Sequence, residues 1–426
     1  MDVKKLFQKL TQAETINANG NEIKGLEILG DYLTEYDLSY HIYYSEEKRP
    51  NFVSTLEATV PEQDALPPLV LLSHMDVVSV NEKEWTYPPF SAMEVDECIW
   101  GRGTLDTKQL TAMHANAFIE AAQLNERNRK IHFVVTADEE NGSQEGMAFL
   151  SRNFPEIFTQ TTVLSEGGGF LIEDHEKNYP YMLYATAEKG SAIIRLEAEG
   201  DGGHAAAPPD DMLVLKLAEN AERLIRTPEG DGQQPYVQQF ENELKPLMEK
   251  ESEQGTFAAN LLEYMKRPTF TIQSIEVGEG PLNVLPSKGA ITIDLRILPE
   301  MTEADVWHFI EMCELDEDLN VEIITFEPGY LSTHQNEIIE LFEQKSKQMG
   351  LDFKWLGFTA LGRTDGRFIA DQKSDIFGLS PTLTTFTEVL KRVHQVDERI
   401  EVESFRFGVE LMSSVINAYV NNSEKV

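Results

Sequence analysis

The sequence predicts an α/β protein, a mixed sheet with flanking helices, into which a smaller α+β unit of ferredoxin-like order is inserted. Three observations lead there. Apolar runs closed by turn residues alternate with helix-like stretches through about the first 185 residues. From Lys189 the pattern becomes strand–helix–strand–strand–helix–strand. Beyond Glu327 helix and loop patterns return and run to Val426. We therefore expect a main domain in two parts, 1–188 and 328–426, around an inserted domain at 189–327.

The N-terminal stretch Met1 to Leu10 alternates Lys with apolar residues, as an amphipathic helix does. It has neither an apolar core region nor a small-residue cleavage site, so it does not read as a secretion signal. Strands are expected at Leu69–Leu72, Ile131–Val135 and Thr162–Leu164, with a helix from Thr107 to Gln123 between the first two. In the insertion, Ser191–Ala198 reads as strand and Met212–Leu224 as helix. A polar, Gln- and Glu-rich segment follows from Pro228 to Lys266. Strands at Thr269–Val277 and Ala290–Leu298, a helix at Glu303–Cys313 and a strand at Val321–Phe326 complete the unit.

A chain of 426 residues with 41% hydrophobic residues is long enough for two packed domains. No run approaches the roughly 18 apolar residues of a membrane helix. Two cysteines, Cys98 and Cys313, exclude a disulfide framework and a Cys-rich zinc site, and suit a reducing cytoplasm. A formal charge of -37 argues against nucleic-acid and anionic-membrane partners. It says nothing by itself about substrate.

Acidic and imidazole residues gather where strands end. Leu69–Leu72 runs into Ser73-His74-Met75-Asp76, Ile131–Thr136 into Ala137-Asp138-Glu139-Glu140, and Thr162–Leu164 into Ser165-Glu166-Gly167-Gly168-Gly169. Ligands of open α/β sheets bind outside the carboxyl ends of strands, so one rim receives His74, a glutamate of the Glu139–Glu140 pair and Glu166. His74 and Asp76, two apart, share a face in extended chain, and such a carboxylate can orient a ligating imidazole. Adjacent Glu139 and Glu140 point apart, which leaves one free to act as a base. Asp106, in Gly101-Arg102-Gly103-Thr104-Leu105-Asp106, starts a helix and is either an N-cap or a two-oxygen metal ligand. His204 sits on a glycine-rich loop of the insertion, in Gly202-Gly203-His204-Ala205. Taken singly, each of these motifs is also compatible with ordinary turn or loop chemistry.

In order, these motifs and a late His394 (Val393-His394-Gln395-Val396-Asp397-Glu398) resemble the co-catalytic zinc aminoacylase/carboxypeptidase family, peptidase family M20. Trp85 to Phe90, Glu166 to Gly169 and Thr364 to Arg367 resemble its carboxypeptidase S branch. The resemblance implies a zinc-peptidase-like catalytic domain with an inserted lid or dimerisation domain. It implies that His74 and Glu166 hold one metal, Glu140 and His394 the other, and that Asp106 bridges them. Asp76 would orient His74, Glu139 would move the proton, and His204 would meet the developing oxyanion. Asn283 and Arg296 match positions that hold substrate carboxylate or carbonyl. The implied cofactor is two zinc ions, for which manganese or cobalt could substitute. The implied substrate is a small peptide or N-acyl amino acid with a free carboxylate. A homodimer through the lid is compatible with the family, with His204 then serving in cis or in trans.

Three positions depart from the family pattern: Thr107 where a second Asp is usual, Ala206 where Ser is frequent, and Arg363 where Gly is usual. Two rival readings stand beside the carboxypeptidase one. The first is a deacylase of a biosynthetic N-acyl amino acid such as acetylornithine or succinyl-diaminopimelate. The second is a catalytically silent binding homologue, which would normally have lost a ligand or the base. His114 and His132 read as core or face residues, and His41, His175, His308 and His334 lie in no matching motif.

Overall fold

A computed structural model describes residues 2–226, 234–278, 281, 283–333 and 336–421. His334 and the start of the polar segment, 228–233, lie outside the described residues. The chain divides into two compact units, one of 1–186, 243–258 and 332–426, the other of 187–242 and 259–331.

The first unit is built on a mixed sheet. Its order is His41–Tyr44, Pro50–Leu56, Arg129–Thr136, Leu66–His74, Thr162–Ser165, Asp375–Gly378 and Tyr181–Glu188. Lys354–Ala360 and Phe170–Ile172 both pair with Tyr181–Glu188. The four central strands from Arg129–Thr136 to Asp375–Gly378 run parallel; His41–Tyr44 with Pro50–Leu56, Pro50–Leu56 with Arg129–Thr136, and Asp375–Gly378 with Tyr181–Glu188 pair antiparallel. The parallel strands are buried along nearly their whole length, so they read as continuous apolar runs. Their carboxyl ends deliver His74, Thr136 and Ser165 to one edge, in register with one another: His74 sits opposite Thr136, and Leu71 opposite Leu164.

Helices flank this sheet. Val3–Gln12 begins where the Asp2 carboxylate accepts the Lys5 N–H, an N-cap, and it buries Leu6, Phe7 and Leu10. Phe7 stacks on Phe405 of the long helix Val402–Asn421, ring centroids 4.5 Å apart. That helix and Lys108–Ala122 share one apolar core with the sheet, through Met113, Phe118, Phe133, Leu411 and Met412.

The second unit carries a four-stranded antiparallel sheet in the order Thr269–Val277, Lys288–Ile297, Gly190–Glu199, Asn320–Glu327. Helices Leu213–Arg226 and Glu303–Met312 complete the split βαβ pattern. Their apolar faces, including Leu217, Leu224, Val306 and Phe309, cover the sheet residues Ile194, Leu196, Ile293 and Leu295.

The polar segment, to which the sequence pattern assigns no element, is helical where it is described. It forms two helices, Pro235–Met248 and Glu253–Lys266. Tyr236, Val237, Phe240, Leu244 and Leu247 are buried at helical spacing in the first, and Ala258, Leu261, Leu262 and Met265 in the second. The intervening Gln and Glu residues diluted the pattern in the sequence. The sequence reading runs the insertion unbroken from 189 to 327, whereas residues 243–258 group with the first unit.

Candidate metal centre

His74 closes its strand with the imidazole 1% exposed. Its Nδ1 lies 2.9 Å from the main-chain carbonyl of Asp76. A carbonyl only accepts, so Nδ1 carries a proton, and Nε2 is the nitrogen turned to the carboxylates, free to bind metal once its own proton is displaced. That Nε2 lies 3.1 Å from Asp106 Oδ1, 3.3 Å from Glu166 Oε2 and 4.0 Å from Glu139 Oε2.

The other Asp106 oxygen, Oδ2, lies 3.0 Å from His394 Nε2, and that nitrogen is 3.2 Å from Glu140 Oε2. Asp106 thus stands between a His74–Glu166 pair and a His394–Glu140 pair. His394 has a left-handed backbone, φ +60°, at a bend of the chain beyond the short helix Phe386–Leu390. It and Asp106 are brought together only by the fold.

Glu139 and Glu140 start a single 3-10 turn, Glu139–Asn141, after Asp138 at φ +65°. The Asp76 carboxylate holds this turn, accepting the N–H of Glu139 at 3.1 Å and of Glu140 at 3.0 Å. Asn17 donates to the same carboxylate at 2.7 Å. The expected Asp76 carboxylate–imidazole contact is the longer one, 3.6 Å from Nδ1. Asp76 therefore orients His74 chiefly through its main chain, while its side chain aims the two glutamates. Glu166 follows the strand Thr162–Ser165 on a glycine turn. A Cβ on Gly169, at φ +93°, would stand 2.3 Å from the Ser380 main chain, so that approach requires glycine.

The electrostatics are those of carboxylates crowded out of water. Burial and the Glu166 charge push the Glu139 carboxyl well above its ordinary range, and burial pushes Glu166 up to about 7. Burial alone would raise Asp106 too, but His394 and His74 hold it well below. Hydrogen bonds to Asp106 and Glu140 push His394 up to about 10. Burial opposes charge on His74, yet the Glu166, Asp106 and Asp76 oxygens around it raise it well above the usual imidazole value. Two imidazole nitrogens that each face two carboxylates require a positive charge between them, either a proton or a metal.

The donor set fits metal. Ligand atoms of His74, Asp106 and Glu140 lie within 4.8 Å of one another, as do those of His74, Glu139 and Glu166. The two groups overlap because the centre is small, and the shortest contacts sort the donors into the two pairs around Asp106. Glu140 Oε1 is buried without a hydrogen-bond partner, an acceptor aimed inward with nothing to accept from. Mixed nitrogen and oxygen donors at this spacing could hold two divalent ions.

A cavity of about 570 Å³ opens on this centre, bordered by Asp106, Glu139, Glu166 and His394. Part of its lining is apolar, from Phe170, Leu361, Phe386, Val389, Leu390 and Val393; Arg363 and Arg367 are its other cations. Phe170 and Phe386 pack with centroids 4.9 Å apart.

The remaining expected residues belong to the second unit. His204 pairs with Val284 in a two-stranded ladder, and the Ala205 N–H donates to the Asn283 carbonyl at 3.0 Å. The ladder thus sets His204 beside Asn283. Arg296 lies on Lys288–Ile297, its guanidinium 3.0 Å from Asp294 and 34% exposed.

Several residues of the site were not anticipated. Asp365, buried in Thr364-Asp365-Gly366-Arg367, accepts from Thr136 at the end of a central strand, and its burial raises its pKa. Asp138 accepts the Glu145 N–H at 3.1 Å and meets Arg49, which is itself paired with Glu22. Glu398 accepts hydrogen bonds from the loop that carries Asp106. The only signal for these was their place inside motifs already singled out, and Asn17, Glu22 and Arg49 lay in none. His132 is buried against Thr55 and held down to about 4, and His114 is buried and held down to about 3, in keeping with core roles. Among the described residues no helix is long and apolar enough to cross a membrane.

Residues 70–418 match the family model for peptidase family M20/M25/M40. The chain is 28% identical to human N-fatty-acyl-amino acid synthase/hydrolase PM20D1, covering 85% of this chain and 76% of the relative. It is 27% identical to the succinyl-diaminopimelate desuccinylase of Hydrogenovibrio crunogenus, covering 93% of each. A carboxypeptidase S-like protein of Dictyostelium discoideum is 25% identical, covering 85% of this chain and 73% of that one. The fold is shared with the M20 metallo-carboxypeptidase Sso-CP2 of Sulfolobus solfataricus, TM-score 0.71 at 17% identity, over 98% of this chain and 99% of that one. The family match over most of the chain, on a sheet edge that gathers histidines and carboxylates, identifies a metal-dependent hydrolase of peptidase family M20/M25/M40.

Proposed function

We propose that this protein hydrolyses the amide bond of a small peptide or N-acyl amino acid that bears a free carboxylate, using two zinc ions. The observation that carries the reading is Asp106, with one oxygen toward His74 and Glu166 and the other toward His394 and Glu140. On this reading those five residues are the ligands and Asp106 is shared. Two bound divalent ions would supply an acidified water and a polarised scissile carbonyl. Glu139 is left outside both nearest pairs, and its carboxyl accepts the proton of the attacking water and returns it to the leaving amine. The inserted unit acts as a lid in which His204 hydrogen-bonds the oxyanion and Asn283 and Arg296 receive the substrate's carbonyl and carboxylate. A homodimer through that unit, a cytoplasmic location and a lack of nucleic-acid or membrane partners belong to the same proposal.

Among substrates, the apolar lining from Phe170, Phe386, Val389 and Leu390 favours an apolar side chain or acyl group. A deacylase of a polar biosynthetic intermediate is the alternative, and a silent binding homologue the alternative of another class. The test is hydrolysis of a panel of dipeptides, N-acyl amino acids, N-acetylornithine and succinyl-diaminopimelate, after chelation and after return of zinc, manganese or cobalt. We expect metal-dependent turnover, fastest on apolar N-acyl or dipeptide acids. Turnover that survives in protein shown by elemental analysis to be metal-free rejects the mechanism. Binding without turnover across the panel supports the silent homologue.

A further inference from the structure

We propose that Glu398 is a positioning residue that presets the two metal donors Asp106 and His394 before any metal arrives. The proposal rests on the reading of Asp106 and His394 as ligands.

Glu398 is fully buried, four residues after His394. Its carboxylate makes four contacts, all to the segment that ends in Asp106. Oε1 accepts the N–H of Leu105 at 2.7 Å and of Asp106 at 3.3 Å. Oε2 accepts the N–H of Gly103 at 3.1 Å and Arg102 Nη1 at 2.7 Å. The Glu398 main chain is tied to the same segment, because its carbonyl accepts the Gly101 N–H at 2.9 Å. The next residues, Arg399–Glu401, pair with Cys98–Trp100 just upstream. Arg102 reaches back to the His394 carbonyl at 3.5 Å and lies over the Trp85 ring, 5.2 Å from its centroid.

One carboxylate thus couples two chain segments far apart in sequence, and each segment carries a donor. A fully buried carboxylate is costly unless its oxygens are satisfied, and here each oxygen takes two donors. A glutamine could not do the same. Its NH2 would face an N–H or a guanidinium, so half of the cradle would turn repulsive. The shape that the tie holds needs a glycine: Gly103 sits at φ +86°, where a Cβ would stand 2.9 Å from Val77 and 3.0 Å from Lys108. Glycine does not fix that shape by itself, which leaves the carboxylate to do so. The carboxylate therefore fixes the direction in which Asp106 leaves the loop, and metals meet a formed site rather than forming it.

The first measurement needs no variant. Hydrogen exchange is followed in metal-free wild-type protein at the amides of Gly103, Leu105 and Asp106. We expect protection in the metal-free state close to that with metal. Amides that exchange freely without metal and become protected only on its addition would overturn the proposal, since metal would then be what orders the loop. The second is a cobalt titration of wild type and Glu398→Gln, followed by the visible absorption of bound cobalt, with melting of the metal-free proteins as control. Loss of a partner behind the ligands typically weakens metal binding about 10–100-fold, and we expect that loss for at least one of the two ions. A folded Glu398→Gln protein that binds two cobalt ions as tightly as wild type overturns the proposal. If that variant does not fold, the exchange measurement decides alone. Wild type that fails to bind two cobalt ions would defeat the two-metal reading itself, a result distinct from failure of the Glu398 role.

Discussion

The carboxylate of Asp106 reaches His394 at 3.0 Å with one oxygen while its other oxygen stays 3.1 Å from His74. Asp106→Asn keeps the shape but replaces one oxygen with a group that cannot bind a cation. We expect bound metal to fall from two ions to one or fewer per chain, by elemental analysis, and turnover to fall with it. Two ions retained at wild-type affinity would show that Asp106 does not bridge.

Glu139 lies 4.0 Å from His74 Nε2 and outside both of the closest donor pairs. Glu139→Gln should keep both metals and substrate affinity while turnover falls ~10²–10⁴-fold. Steady-state kinetics with metal content measured on the same sample decide this. Near-normal turnover removes Glu139 as the base.

Asp76 acts on the site through the Glu139 and Glu140 amides. Asp76→Ala should lower kcat more than it raises KM, and weaken metal binding about 10–100-fold, because the turn loses its anchor. A variant with unchanged kcat and metal affinity would confine Asp76 to packing.

Arg296 is on trial against a rival within its own strand, since Asp294 already holds its guanidinium. If Arg296 receives the substrate carboxylate, Arg296→Ala should cost roughly 2–5 kcal/mol in kcat/KM on free acids and much less on the matching amides. Equal losses on both would make Arg296 structural. Arg363 and Arg367, which line the metal cavity, would then be the next variants to compare.

Two buried histidines predict acid sensitivity. Burial holds His132 down to about 4 and His114 down to about 3, below the ordinary 6.5. The unfolded chain takes up these protons as pH falls through about 6.5, while the folded chain does not. Stability is thus full above that pH and is lost progressively down toward the folded values, by roughly 3 kcal/mol for His132 and roughly 5 kcal/mol for His114. Removing one such group should flatten the dependence. We expect metal-free His114→Leu to show a shallower fall in Tm between pH 6.5 and 5 than metal-free wild type. Parallel slopes would show that His114 is not buried neutral.

The sequence alone determined the α/β class, the strands that run on to His74, Glu140 and Glu166, and the residue types capable of holding metal. Those features are local: a buried parallel strand must be apolar, and the polar residue that ends it stands out against that run. Only tertiary structure decided that Asp106 faces His394, that Asp76 aims the Glu139–Glu140 turn, and that Glu398 cradles the Gly103–Asp106 loop. It also decided that the polar stretch before Lys266 is helical, with buried Tyr236, Phe240 and Leu261. A carboxylate whose partners are main-chain amides leaves no complementary side chain in the sequence to betray it. Arg102 and Glu398 do form a side-chain pair, but they stand 296 residues apart, and the pairing exists only once Arg399–Glu401 has paired with Cys98–Trp100.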